Sequence, residues 1–246
     1  MIDTHAHLEA CADSPRDLVD RARAAGVERI LAVGSTIASC RAALAVADQE
    51  PGVFTILGIH PHEAEREGDR LGELRKLLLH PKAIAVGETG LDFYRDRAPR
   101  WRQREVFAAE LELAAELGKP VVIHTRAADH ATADALDRFA GTVILHCFSS
   151  PSLLPVALER GYYVSFAGNV TFPNASELRL AATQVPAERL LAETDSPYLA
   201  PQPVRGRPNE PAHVMHTLAT LALARREDAA ELEATIEANA VAAFGL

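Results

Sequence analysis

His5 and His7 stand one residue apart in the apolar opening Met1-Ile2-Asp3-Thr4-His5-Ala6-His7. On a β-strand that spacing sends both imidazoles to one side. Neutral imidazole is a ligand for zinc, iron, nickel and related ions, so the pair reads as half of a divalent-metal site. Alone, a His-x-His near a chain start is equally consistent with a surface accident. The other polar residues of the right kind decide between the two. His60, Glu88, His124, His146 and Asp195 each fall at or just past the end of a short apolar run. Histidines serving only the core would be scattered along such runs. His5, His7, His124 and His146, with the carboxylates of Glu88 and Asp195, exceed what one tetrahedral zinc takes. Two ions bridged by a carboxylate, about 3.5–4 Å apart, use the set better, and the chemistry of such a pair is hydrolysis by an activated water. Zinc, manganese and magnesium all remain open, because spacing does not name the ion.

These groups need a scaffold that brings them to one end. Short apolar runs alternate with longer amphipathic stretches along the whole chain, the pattern of β/α units on a parallel sheet. The strands are expected at Ile2 to His5, Arg29 to Val33, Val53 to Gly58, Ala83 to Gly87, Val121 to His124, Val143 to His146, Tyr162 to Phe166 and Leu190 to Glu193. Eight is the number of a closed α/β barrel, the (β/α)8 TIM barrel, whose active sites lie at the C-terminal ends of the strands. Helices are expected at Pro15 to Ala25 and at Arg100 to Leu117, the latter stopped by Gly118 and Pro120. Pro208 to Arg226 and Asp228 to Ala243 read as closing helices. An open doubly wound sheet shares this alternation, but no Gly-x-Gly-x-x-Gly follows the first strand. Residues 1–246 show no linker or composition break, so a single domain is expected.

A chain of 246 residues, 48% of them apolar, can bury a large core without disulfide or metal support. Its formal net charge of −9 argues against coating nucleic acid through a broad basic surface. Cys11, Cys40 and Cys147 are odd in number and form no Cys-x-x-Cys pair, so neither a disulfide framework nor a zinc ribbon is indicated. With no apolar stretch of membrane-spanning length and no charged-then-apolar leader, a soluble cytoplasmic protein is expected.

Taken together, Asp3-Thr4-His5-Ala6-His7-Leu8, Gly58-Ile59-His60-Pro61-His62, Gly87-Glu88-Thr89-Gly90-Leu91-Asp92-Phe93, His124-Thr125-Arg126, His146-Cys147-Phe148-Ser149, Glu193-Thr194-Asp195-Ser196-Pro197-Tyr198-Leu199 and Arg205-Gly206-Arg207-Pro208-Asn209-Glu210-Pro211 resemble the TatD-type metal-dependent deoxyribonucleases, in order and over nearly the whole chain. The resemblance implies an amidohydrolase-like barrel, usually cytoplasmic, with a 3′ to 5′ exonuclease activity on single-stranded DNA. It implies that His5, His7 and Asp195 hold one metal, that His124 and His146 hold the second, and that Glu88 bridges them. It places His60 and Arg126 near the scissile phosphate and Glu210 in a supporting loop, with Asp92, Tyr198 and Arg205 as weaker correspondences. The chain departs from the family pattern at Ser150, where glycine is frequent, and at Ala127, where glutamate is common. Neither departure removes an expected ligand. On such a ligand set Asp195 is the expected general base and Arg126 the expected stabiliser of phosphoryl charge. The competing readings are a small-molecule amide, lactone or phosphoester hydrolase on the same metal core, and a non-catalytic metal protein. Neither a membrane nor a stable protein partner is expected, and the chain is read as a monomer or weak homo-oligomer.

Overall fold

Eight strands pair in the order of the chain, every neighbour parallel, in a computed structural model that describes all 246 residues. They are β1 (Ile2–Ala6), β2 (Arg29–Gly34), β3 (Val53–Leu57), β4 (Ala83–Asp92), β5 (Val121–Arg126), β6 (Val143–Leu145), β7 (Tyr163–Phe166) and β8 (Leu190–Ala192). The seam between β8 and β1 closes just past the end of β8. Ala6 bridges to Ser196, His7 N–H donates to the Ser196 carbonyl at 2.7 Å, and Asp195 N–H donates to the His5 carbonyl at 2.9 Å. The buried Asp3 carboxyl locks the same seam by accepting the Thr194 N–H at 2.8 Å and the Thr194 hydroxyl at 2.6 Å. The result is a (β/α)8 barrel, as the eight strand-like runs led us to expect.

Side chains alternate across each strand, so one set fills the barrel and the other meets the surrounding helices. Ile2, Leu31, Val33, Ile56, Ala85, Val122, Ile144, Tyr163 and Leu191 form the inner set. The last helix, Ala229–Phe244, adds Ala240, Ala243 and Phe244 to them. That helix lies across the N-terminal ends of β1 and β8, because Asn239 donates to the Leu190 carbonyl and the Met1 ammonium pairs with Glu233. The opposite end, where the strands finish, is left to polar residues. No helix is long and apolar enough to cross a membrane.

Several boundaries differ from those read in the sequence. Strand β4 continues to Asp92 and β5 to Arg126, where the two keep pairing as Leu91 with Thr125 and Asp92 with Arg126. The segment expected as one helix from Pro208 begins as extended chain, turns once at Pro211–His213 and becomes α-helical only over Val214–Arg225. The reason is local: Glu210 precedes Pro211 and sits at φ −150°, ψ 162°, since a residue before proline is driven out of the helical region. The Arg100–Leu117 helix ends as expected, at Gly118 with φ +62°.

Candidate metal centre

Simple alternation would send the first two histidines the wrong way. Ile2 is an inner residue, so Ala6 would follow it inward, with His5 and His7 facing the helices. Between Asp3, paired with Ile30, and Ala6, paired with Ala32, β1 carries two residues where β2 carries one. This bulge reverses the parity: Ala6 joins the outer core, while His5 and His7 turn into the barrel mouth. The same device serves β4. Val86 pairs with Val121 and Thr89 with Ile123, so Gly87 and Glu88 share the place opposite the inner Val122. A Cβ at Gly90, whose φ is +137°, would collide with the His124 carbonyl oxygen, which accounts for the second glycine of Gly87-Glu88-Thr89-Gly90. On β5 and β6 no bulge is needed. His124 and His146 lie two residues beyond the inner Val122 and Ile144 and simply continue that face.

Glu88 stands in the middle of five imidazoles and is 3% exposed. Its Oε2 lies 3.5 Å from His5 Nε2 and 3.6 Å from His7 Nε2. Its Oε1 lies 2.7 Å from His124 Nδ1, 3.3 Å from His146 Nε2 and 3.4 Å from His60 Nε2. Asp195, with φ +55°, presents Oδ1 3.6 Å from His7 Nε2. His5 Nε2 and His7 Nε2 are 3.4 Å apart, and tetrahedral donors around a zinc with bonds of about 2.1 Å also stand about 3.4 Å apart. The donor set therefore fits a divalent ion in size and in chemistry.

The protonation pattern supports the same conclusion. Burial holds His7 down to about 3 and lowers His5, so both imidazoles are neutral with lone pairs to offer. Burial also opposes charge on His124 and His146. Hydrogen bonds to Asp92 and Glu88 overcome it and raise His124 to about 9, while Glu193 and Glu88 lift His146 well above the usual histidine range. Burial pushes Asp195 up to about 8. Without an ion, protons on His124 and His146 offset the buried carboxylates, a role that a bound cation takes over.

A further group of residues aims these side chains. Glu193 Oε1 lies 2.7 Å from His146 Nδ1, leaving Nε2 to face the centre, and also accepts the Cys147 N–H at 2.8 Å. Asp92 lies 3.3 Å from His124 Nε2 and 2.8 Å from His62 Nε2, and is itself held by the N–H groups of Tyr94 and Arg95. His60 accepts the His62 N–H on its Nδ1 at 3.0 Å. Burial keeps His60 neutral, down to about 4, so its proton sits on Nε2 and points into the mouth as a donor.

Residues 2–245 match the family model described as TatD related DNase. The chain belongs to the TatD family. It is 40% identical over 259 residues to the uncharacterized metal-dependent hydrolase TatD of Mycobacterium tuberculosis, covering 100% of this chain and 98% of that protein. It is 37% identical over 247 residues to the 3′-5′ ssDNA/RNA exonuclease TatD of Klebsiella pneumoniae, covering 94% and 91% respectively. The crystal structure of YjjV, a TatD homologue from Escherichia coli K12, superposes with a TM-score of 0.94 at 31% identity, over 100% of this chain and 98% of that one. The TatD family chain described here is thus a metal-dependent hydrolase.

The residues singled out in the sequence fall into two groups in this TatD family barrel. His5, His7, His60, Glu88, His124, His146 and Asp195 converge at the mouth. The remainder stand around them. Arg126 is exposed and stacks its guanidinium 4.1 Å over the Tyr94 ring, whereas Arg205 stacks 4.1 Å over Phe172. Tyr198 sets its ring against His7 at 5.8 Å. Glu210 is paired with Arg21 at 2.6 Å, on the helix Pro15–Ala24. Glu193 and His62 were part of the motifs but had no assigned role. Glu193 was legible in principle, since it continues the inner face of β8 two residues beyond Leu191.

Proposed function

We propose that this chain hydrolyses phosphodiester bonds of single-stranded nucleic acid from a free 3′ end, with two divalent ions held on either side of Glu88. The observation that supports this reading most is the division of one carboxylate, Oε2 towards His5 and His7 and Oε1 towards His60, His124 and His146. A carboxylate so divided suits a bridging place between two metals. The relative named as a 3′-5′ ssDNA/RNA exonuclease supports the substrate class and the polarity. In this reading His5, His7 and Asp195 would hold one ion, His124 and His146 would hold the other, and Glu88 would serve both. Bound zinc, manganese or magnesium would supply a lowered pKa for water and neutralisation of phosphoryl charge.

The side chains do the positioning and move the proton. Asp195 turns Oδ1 to His7 and keeps Oδ2 for the proton of the attacking water. A carboxylate placed beside the attacking water is the group that accepts its proton as general base. His60 donates from Nε2 to a phosphoryl oxygen. Arg126, held by Tyr94 at the rim, offers its planar fork to a second oxygen.

Labelled linear and circular single strands, incubated with each divalent ion in turn, test the reading. The linear strand should shorten stepwise from its 3′ end while the circle survives. Equal cleavage of the circle removes the end-dependent mode. Hydrolysis of bis(p-nitrophenyl) phosphate with neither strand touched would favour a small-molecule phosphoester hydrolase.

A further inference from the structure

The segments that follow β6 and β7 flank an open cavity of about 260 Å³, lined among others by Ser149, Asn169, Phe172, Asn174 and Glu177. Ser149 is three residues beyond His146, so the chain can carry it no farther than roughly 11 Å from that residue. The cavity therefore lies at the end of the barrel where His146 sits.

Its lining suits a flat ligand with N–H groups on its edge. Phe172 forms one wall, and the guanidinium of Arg205 lies over the ring with Cζ 4.1 Å from its centroid. Arg205 is brought there by the segment after β8, which is tied to the segment after β7 where Gln202 N–H donates to Thr171 Oγ1 at 2.7 Å. The Asn169 amide oxygen is buried and has no hydrogen-bond partner in the protein. Buried acceptors are seldom left in that state, and a turn of the amide would present it to a ligand in the cavity that Asn169 lines. Glu177 adds a carboxylate to the wall, which repels a phosphate but accepts an N–H.

We propose that this cavity is a nucleobase pocket, in which Phe172, steadied by the guanidinium of Arg205 over its ring, stacks one base of a strand whose phosphate lies at the metal centre and Asn169 accepts an N–H from that base's edge. The inference rests on the single-stranded nucleic-acid reading above and adds to it the place where one base is gripped. An aromatic plane stacks any base, so the pocket makes the enzyme dependent on a base being present more than on its identity.

The metal-loaded protein is assayed on one linear single strand and on copies carrying a single abasic nucleotide at each of the last three 3′ positions. Wild type should lose about tenfold or more in kcat/KM at one of these positions, the scale of one base stacked on an aromatic ring. In Phe172→Ala and, independently, in Asn169→Ala the ratio between the intact strand and that abasic strand should fall towards one. A ratio taken within one variant is insensitive to loss of folded or metal-loaded protein, and two variants guard against either failing to fold. Oligonucleotides cut by wild type with no position-specific abasic penalty overturn the pocket, as does a penalty that persists in both variants. Wild type that hydrolyses bis(p-nitrophenyl) phosphate but no oligonucleotide overturns instead the nucleic-acid reading on which the pocket rests.

Discussion

At the scale of single residues, the metal centre is an exchange of protons for cations. His124 is held up to about 9 because Asp92 and Glu88 outweigh the opposing effect of burial. An ion must displace that proton to use the ring, so apparent metal affinity should climb as pH rises from 6 towards 9 and flatten beyond. Isothermal titration across that range measures it, and an affinity independent of pH would remove His124 from the ligands. Glu88→Ala should lower kcat by at least about a hundredfold with circular dichroism unchanged, since even supporting residues of metal sites cost 10–100-fold. Near-normal turnover in excess metal would exclude a bridging role. Glu193→Gln should reduce metal affinity or activity by about 10–100-fold, because His146 loses the carboxylate that orients its ring. Elemental analysis alongside kinetics would separate the two effects.

Elements matter through the way they set these residues. Two bulges, one in β1 and one in β4, turn His5, His7 and Glu88 inward. The helix Arg100–Leu117 steadies the β3 and β4 ends through Glu110, which is fully buried. One of its oxygens accepts the Ile59 N–H at 2.7 Å and the other meets the Thr89 hydroxyl, so Glu110 grips the neighbours of His60 and Glu88. Burial raises its carboxyl to about 8 and keeps it protonated at neutral pH. Glutamine offers the same acceptor and donor in the same shape. Glu110→Gln should therefore keep most activity, while Glu110→Ala should lose tenfold or more through displaced ligands. The pair also differs in pH dependence. The folded chain keeps a proton that the unfolded chain gives up, so wild type loses stability relative to Glu110→Gln as pH rises from about 4.5 to about 8, by about 1.4 kcal/mol per unit. Thermal unfolding of both proteins at several pH values should show the gap widening over that window only. A constant gap would mean the carboxyl is ionised in the fold.

Over the whole molecule, a net charge of −9 repels a polyanion at long range. Attraction must be local, through the ions and the rim arginines Arg126 and Arg205, which rest on Tyr94 and Phe172. Contact with two or three phosphates of a single strand corresponds to a log–log salt slope of about −1.4 to −2.1. Binding of a phosphorothioate strand over a series of KCl concentrations would give the slope. A value steeper than about −4 would require a basic surface that this composition does not provide.

The barrel and most of the polar residues gathered at its mouth were legible in the chain itself, because both depend on local pattern. Eight apolar runs mark the strands, and His124 and His146 continue the inner face of β5 and β6 by alternation alone. The inward turn of His5, His7 and Glu88 was not legible in this way, since a bulge is a difference in count between two paired strands and neither strand carries it alone. Contacts between distant parts were equally hidden. Glu210 faces Arg21 across 189 residues, and Glu110 reaches Ile59 across 51. The cavity beside Phe172 exists only because two successive loops, after β6 and after β7, meet at one end of the barrel. Periodicity along the chain specifies which residues face inward on a regular strand; which residues touch is decided by register and closure, and those arise only when the strands pair.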